Sequence, residues 1–264
     1  MSNAKTMKLN FYKYQGTGND FVMIDNRQQF FPKNNIKLVN NLCDRRFGIG
    51  ADGLILLENG DEADFKMVYY NADGNESTMC GNGGRCIVAF ANFLNVVEDE
   101  CTFMAVDGLH HASISEGIIS LAMQNVESIN AFANHVFLDT GSPHHVQLVN
   151  GLSALDVKNH GAKLRYGKYG NEGSNINFVE KEEADTFSVR TYERGVEDET
   201  FSCGTGVTAV ALAMHHTQQT DSNQINLKTP GGLLKVSFEK NGVGYKNIHL
   251  VGPATQVFSG IIEI

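Results

Sequence analysis

Apolar and polar positions along this chain follow two rhythms, and the second half repeats the order of the first. Alternation, or a short apolar run bounded by turn residues, predicts strands at 9–14, 21–25, 54–57, 65–70, 102–106, 111–115 and 118–123. The same signal returns at 135–139, 146–149, 176–180, 186–192, 225–228, 233–239 and 245–251. Three stretches predict helices instead: an amphipathic one at 36–43, one at 81–94, and one from 204 to about 216. The last two are small and apolar along most of their length. Ile87-Val88-Ala89-Phe90-Ala91 lies in one and Val207-Thr208-Ala209-Val210-Ala211-Leu212-Ala213 in the other, as suits buried helices. Turn residues punctuate the pattern: a Gly-rich loop at 15–20, turns at 71–74 and from 193, and a Gly-Ser-Pro loop at 140–144.

The halves can be laid on each other. Gly18-Asn19 answers Gly141-Ser142, the segment at Gly53 answers that at Asn175, 71–74 answers 192–195, and Cys80 answers Cys203. A repeat of roughly 120 residues implies duplication of one strand-rich unit built around one central helix. The expected domains are 1–126, carrying Cys80 and completed by a returning strand at 253–264, and 127–252, carrying Cys203. The switch is placed at 125–134, where the strand pattern lapses.

Composition narrows the class without naming a function. The chain has 264 residues with 42% hydrophobic and 19% charged residues, which is enough for a sizeable core without disulfides. Its net charge of -9, with no Lys/Arg cluster, argues against nucleic acid as a partner. No run approaches the roughly 20 apolar residues of a membrane span. The five cysteines are odd in number and follow no secretory pattern, so reduced thiols in the cytoplasm are expected. Residues 1–6 carry no pattern and read as a cloning remnant, with Met7 as the native start.

The candidate chemistry sits at the mouths of the two apolar helices. Cys80-Gly81-Asn82-Gly83 opens one and Cys203-Gly204-Thr205-Gly206 the other. A helix N-terminus presents unpaired N–H groups and partial positive charge, which lower a thiol's pKa and attract anions. Each cysteine taken alone also reads as a small buried hydrophobe. Matched contexts for both favour paired acid–base work on one small anionic substrate. Cys43, Cys86 and Cys101 read as core, and no C-x-x-C unit points to zinc. Asn19, Asn71, Asn82, Asn175 and Asn177 gather at loop and strand ends. There they serve turns, or read ammonium and carboxylate with one side chain. Glu193-Arg194 offers one charge of each sign, which suits a zwitterion or a solvated surface pair. His144 follows the loop equivalent to Gly18-Asn19 and is a candidate site residue. It and His145 are also the bases available to a cysteine hydrolase.

Together these residues resemble the diaminopimelate epimerase family of cofactor-independent racemases and epimerases, from about Leu9 to Ile264. The motifs that carry the resemblance are Gly16-Thr17-Gly18-Asn19-Asp20-Phe21, Asn71-Ala72-Asp73-Gly74, Cys80-Gly81-Asn82-Gly83, Glu193-Arg194-Gly195 and Cys203-Gly204-Thr205-Gly206. The resemblance implies an α/β (α+β) fold of two pseudo-symmetric domains, each a strongly curved, largely antiparallel sheet around a central helix, with the site in the cleft between them. It implies a small-molecule substrate, interconversion of LL- and meso-diaminopimelate in lysine and peptidoglycan precursor synthesis, no pyridoxal phosphate or metal, and a homodimer. Cys80 and Cys203 would be the two bases. Gly81, Asn82, Gly204 and Thr205 would bind the α-carboxylate. Asn19, Asn71, Asn175 and Arg194 would hold the distal amino-carboxylate, with Glu193 near the reacting ammonium. Where the family often has Gly-Asn-Pro-His, this chain has Gly141-Ser142-Pro143-His144. The shorter Ser142 would reach a distal group through a bridging water.

Three other readings stay open at this stage. A proline-type racemase would share the fold and both thiols, but its substrate has no distal zwitterion. A cysteine hydrolase would leave the second cysteine without a role. An amino-acid-binding module would bind without exchanging an α-proton.

Overall fold

The computed structural model describes residues 7–264, so the expectation about residues 1–6 lies outside the described residues. The chain divides into two compact units. One comprises the residues up to Ile119 with Pro253–Ile264, and the other is Ser120–Gly252. The lapse at 125–134 lies inside the second unit, where Val126 forms a bridge with Tyr245.

The first unit contains β1 (Lys8–Gly16), β2 (Asn19–Asp25), α1 (Ile36–Cys43), β3 (Gly53–Asn59), β4 (Phe65–Asn71), α2 (Gly81–Phe93), β5 (Glu100–Ala105) and β6 (Gly108–Ser115). The C-terminal strand Thr255–Glu263 pairs with β1, and pairing then runs through β2, β3, β4, β5 and β6. β2–β3 and β4–β5 are parallel and the other pairs antiparallel. A parallel pair needs a crossover connection, and α1 and α2 are those crossovers. α2 packs on β1, β2, β3 and β6. Six flat strands span about 24 Å, twice a helix diameter, so the sheet must curl to touch α2 from both ends.

The expected loop at 15–20 is mostly strand. Gly16 pairs with Asn19, leaving Thr17-Gly18 as a two-residue hairpin with φ 52° and 96°. Left-handed φ at both central positions matches the twist of the flanking strands, and the hairpin sets Asn19 at the start of β2.

β7 (Ile118–Ala122) runs across the division between the units. The second unit follows with β8 (Asn130–Ala131), β9 (Val136–Asp139), β10 (Pro143–Leu148), α3 (Val157–Gly167), β11 (Asn175–Glu183), β12 (Thr186–Glu193), β13 (Asp198–Thr200), α4 (Gly204–His216), β14 (Gln224–Thr229), β15 (Gly232–Asn241) and β16 (Gly244–Pro253). Its sheet reads β8–β9–β10–β11–β12–β14–β15–β16, with β10–β11 and β12–β14 parallel. The alternation of the first unit is thereby repeated, and α3 and α4 are the matching crossovers. α4 packs on β9, β10, β11, β12, β14 and β15, with Val207–Met214 buried on every side.

The sequence pattern does not predict α3. Its apolar positions are sparse, and Gly161 stands where a Cβ would collide with the Tyr192 ring. Asp156 caps it by accepting from the Asn159 N–H at 3.1 Å. Register also moves the repeat by one position. Gly53 stands opposite Asn71, and Ile176 opposite Tyr192 places Asn175 across from Glu193. Asn71 therefore answers Glu193. Among the described residues no helix is long and apolar enough to cross a membrane.

Candidate active site

Cys80 is the N-cap of α2, in extended backbone with φ −103° and ψ 146°. Its Sγ accepts from the Gly83 N–H at 3.2 Å. A Cβ at Gly83 would stand 3.2 Å from Ile55 Cδ1 and 3.3 Å from that Sγ. Glycine at this spacing lets the helix close up against its own capping sulfur. Asn82, in the first turn and buried, donates to Asn19 Oδ1 at 2.6 Å, and Asn19 donates to Asp52 Oδ2 at 2.9 Å. These two contacts fix which way the Asn19 amide faces.

The support under Asn19 is ionic. Arg45 bridges Asp20 and Asp52 at 2.7 Å each, and Lys13 pairs with Asp20 at 2.8 Å. Burial pushes the Asp20 carboxyl up, but hydrogen bonds from Arg45 and Lys13 outweigh it and hold the group at about 2. Asn71 ends β4 and is exposed, held by its backbone N–H to Asn75 O. Gly53, opposite it, has no room for a side chain. A Cβ would lie 2.5 Å from both the Tyr69 ring and Tyr70 O.

The second unit builds the matching helix mouth. Cys203 caps α4 in extended backbone, and its Sγ lies 3.5 Å from Thr205 Oγ1. A Cβ at Gly206 would meet Asn177 Oδ1 at 2.6 Å, which demands glycine here, and Cys203 Sγ at 3.3 Å, which repeats the sulfur contact at Gly83. Thr140 Oγ1 donates to Thr205 O at 2.9 Å, tying the helix mouth to the loop that carries Ser142.

Ser142, Asn175 and Arg194 form one hydrogen-bonded group. Asn175 Nδ2 donates to Ser142 Oγ at 3.2 Å and Arg194 Nη2 to the same oxygen at 3.3 Å. The Arg194 N–H donates to Asn175 Oδ1 at 2.8 Å. Arg194 Nη1 is held by Glu172 O at 3.0 Å. Glu193 accepts from Thr200 Oγ1 at 3.0 Å.

His144 is fully buried beside this group. Asn177 donates to its Nδ1 at 3.2 Å and to His145 O at 3.0 Å, while accepting from Thr191 Oγ1 at 2.9 Å. The Thr191 bond orients the amide, so Nδ1 accepts and the ring proton sits on Nε2. Burial, then the nearby Arg194 charge, pushes His144 down to about 3, and burial pushes the neighbouring His145 down to about 4. The unfolded chain takes up both protons near pH 6.5 and the folded chain does not, so both contribute stability above that pH. It is lost as pH falls from about 6.5 towards 3–4, at about 1.4 kcal/mol per pH unit for each fully shifted group. Urea midpoints are expected to fall from pH 7.5 to pH 5, with a shallower fall in His145→Gln.

The residues singled out in the sequence thus fall into two clusters. Cys80, Gly81, Asn82 and Asn19 are joined in the first unit. Cys203, Gly204 and Thr205 in the second are tied through Thr140 towards Ser142, Asn175, Arg194 and His144, with Asn71 and Glu193 at equivalent strand ends. Cys43, Cys86 and Cys101 are buried with their thiols pushed up by burial, Cys43 to about 12 and Cys101 to about 11. Sequence reasoning missed Asp52, Thr140 and Arg85. Only Arg85 left a trace, as a lone charge within a small, apolar helix.

The sequence profile described as diaminopimelate epimerase matches residues 11–118 and 136–257, one stretch carrying Cys80 and the other Cys203. The chain belongs to the diaminopimelate epimerase family. Among relatives of that name, one from Flavobacterium psychrophilum is 64% identical over 97% of this chain and 100% of its own length. One from Chlorobaculum tepidum is 42% identical over 94% and 99%. Solved structures extend the fold beyond the diaminopimelate epimerase family. A PhzF-family phenazine biosynthesis protein from Bacillus anthracis has a TM-score of 0.78 at 13% identity, covering 98% of this chain and 100% of that one. A hydroxyproline epimerase from Agrobacterium vitis, with bound trans-4-hydroxy-L-proline, has 0.72 at 12%, covering 100% and 94%. At such identities the likeness is one of fold alone, and it bears out the expected fold class.

Proposed function

We propose that this protein interconverts LL- and meso-diaminopimelate by a two-base mechanism in which Cys80 and Cys203 act on opposite faces of one α-carbon. The observation that carries the reading is the matched pair of helix mouths. Each has a cysteine as N-cap and a glycine three residues on that admits its sulfur. One cysteine, as thiolate, takes the α-proton and becomes a thiol, leaving the electron pair on carbon. The other, as thiol, delivers a proton to the opposite face and becomes the thiolate. The carbon is inverted, the proton count is unchanged, and the two sulfurs have exchanged roles. N–H groups of both helix mouths, at Gly81-Asn82 and Gly204-Thr205, bind the α-carboxylate and favour the charge that develops beside it.

The Ser142, Asn175 and Arg194 group supports a substrate with a second polar end. Arg194 presents a guanidinium to the distal carboxylate, and the asparagines Asn19, Asn71 and Asn175 read the distal ammonium and carboxylate. Glu193 faces the reacting ammonium. Such an amino acid separates this reading from a proline-type racemase, whose ligand has no such end. Working thiols suit a reducing cytoplasm, and a homodimer is the assembly the resemblance implies.

Turnover of LL-diaminopimelate in D2O tests the reading. Deuterium is expected at one α-carbon per inversion, with no exchange into proline. Binding without exchange, or exchange into proline alone, would overturn it.

A further inference from the structure

Two side-chain amides at the mouth of α2 are joined in a chain that has a direction. Arg85 Nη2 donates to Asn82 Oδ1 at 3.1 Å, Asn82 Nδ2 to Asn19 Oδ1 at 2.6 Å, and Asn19 Nδ2 to Asp52 Oδ2 at 2.9 Å. The ends settle the sense of the middle. A guanidinium holds donors only and an ionised carboxylate acceptors only, so each amide between them can face one way alone.

Both ends are themselves held. Arg85 is fully buried, with Nη1 on Gly81 O at 3.1 Å, Nη2 also on Thr17 Oγ1 at 3.0 Å, and Nε on Pro253 O at 3.4 Å. Asp52 is clamped through its backbone. Its N–H donates to Asp20 O at 2.9 Å, and its carbonyl accepts from the Ala72 N–H at 3.1 Å. Arg45 Nη2 donates to its Oδ1 at 2.7 Å, and the Asp20 N–H donates to Oδ2 at 3.3 Å beside the Asn19 amide. Ala72 follows Asn71, so Asp52 ties together both strand-end asparagines of this unit. Asn19 is held through its side chain and Asn71 through the adjoining peptide.

The chain decides what Asn19 can offer. Its carbonyl oxygen meets Asn82 and one N–H meets Asp52, which leaves the second N–H for a ligand. Ser142, which answers Asn19 in the repeat, stands in the same state. Its oxygen accepts from Asn175 at 3.2 Å and from Arg194 at 3.3 Å, so its hydrogen is the group it can give. Donors suit a carboxylate oxygen. An ammonium carries donors only and would set N–H against N–H.

We propose that Asp52 is a positioning residue for recognition, which fixes the Asn19 amide as a donor to the distal carboxylate of the substrate and denies it to the distal ammonium. The proposal rests on the reading that places Asn19 at the distal end of diaminopimelate. An amide that could turn over would serve either group. The lock gives it one.

The test follows the side-chain amide of Asn19 by NMR in protein labelled with 15N at asparagine, the signal being assigned by its absence in Asn19→Ser. Two probes divide the distal end. 2-Aminopimelate keeps the distal carboxylate without the ammonium, and L-lysine keeps the ammonium without the carboxylate. In wild type, 2-aminopimelate is expected to move the Asn19 amide hydrogens and L-lysine to leave them in place. Asp52→Ala is expected to weaken binding of LL-diaminopimelate and 2-aminopimelate by about tenfold each, the scale of one charged hydrogen bond, and that of L-lysine by less than about twofold. A merely structural loss would lower all three alike, and that result overturns the proposal. So does an Asn19 amide that responds to L-lysine and not to 2-aminopimelate. If Asp52→Ala does not fold, the comparison of the two probes in wild type decides alone. Turnover of LL-diaminopimelate with an Asn19 amide that no ligand moves would overturn this proposal and leave the epimerase reading in place.

Discussion

Cys203→Ala and Cys80→Ala are each expected to lose epimerisation by about 10³-fold or more, the effect of removing a positioned acid or base. The losses should differ in kind. With Cys203 gone, the Cys80 thiolate still reaches the α-proton on its own face and returns a proton there. The variant is therefore expected to wash deuterium into one stereoisomer from D2O without inverting it. With Cys80 gone, the same should hold for the opposite stereoisomer. Mass spectrometry combined with chiral separation of the recovered amino acid reads both outcomes. Epimerase activity within tenfold of wild type in either variant would sink the two-base mechanism. Exchange of the same stereoisomer by both variants would show that the sulfurs share a face.

Arg194→Met is expected to lower kcat/KM by about 10²-fold, chiefly through KM, because on the proposed reading it removes charged hydrogen bonds to the distal carboxylate, each worth about 1.5–3 kcal/mol. The structure makes Arg194 a good probe because its side chain is held from outside the substrate. Glu172 O accepts from Nη1 and Ser142 Oγ from Nη2. The loss should therefore be one of recognition and leave the fold in place. An analogue that lacks the distal amino and carboxylate groups is expected to bind wild type and Arg194→Met equally. A fall in kcat at unchanged KM would place Arg194 in the chemistry instead. A loss of thermal stability parallel to the loss of activity would make it structural.

The sequence displayed the parts of this site that depend on local chemistry. A cysteine before Gly-x-Gly at the head of an apolar run marks the mouth of a buried helix, and the arrangement recurs in both halves. Strand alternation likewise located most of the sheet. Other features depended on contacts that no local pattern encodes. The parallel pairings of β2 with β3 and β10 with β11 are set by crossovers, and α3 was hidden because its packing against Tyr192 relies on the absence of a side chain at Gly161. The loop at 15–20 looked irregular from its glycines but is a tight hairpin, since left-handed φ at Thr17 is a property of the strands on either side. Asp52 and Arg45 could not be tied to Asn19 until folding brought β3 beside β2.

The C-terminal strand Thr255–Glu263 pairs with β1, and Met7 and Ile264 exchange backbone hydrogen bonds at 2.8 and 2.9 Å. Synthesis delivers the two partners of that ladder at opposite times. The second unit, whose last strand in chain order is β16, has all its strands before the first unit has its last. On the ribosome the order of completion is thus the reverse of the order of translation, and the nascent chain must carry an open β1 edge until Thr255–Glu263 emerges.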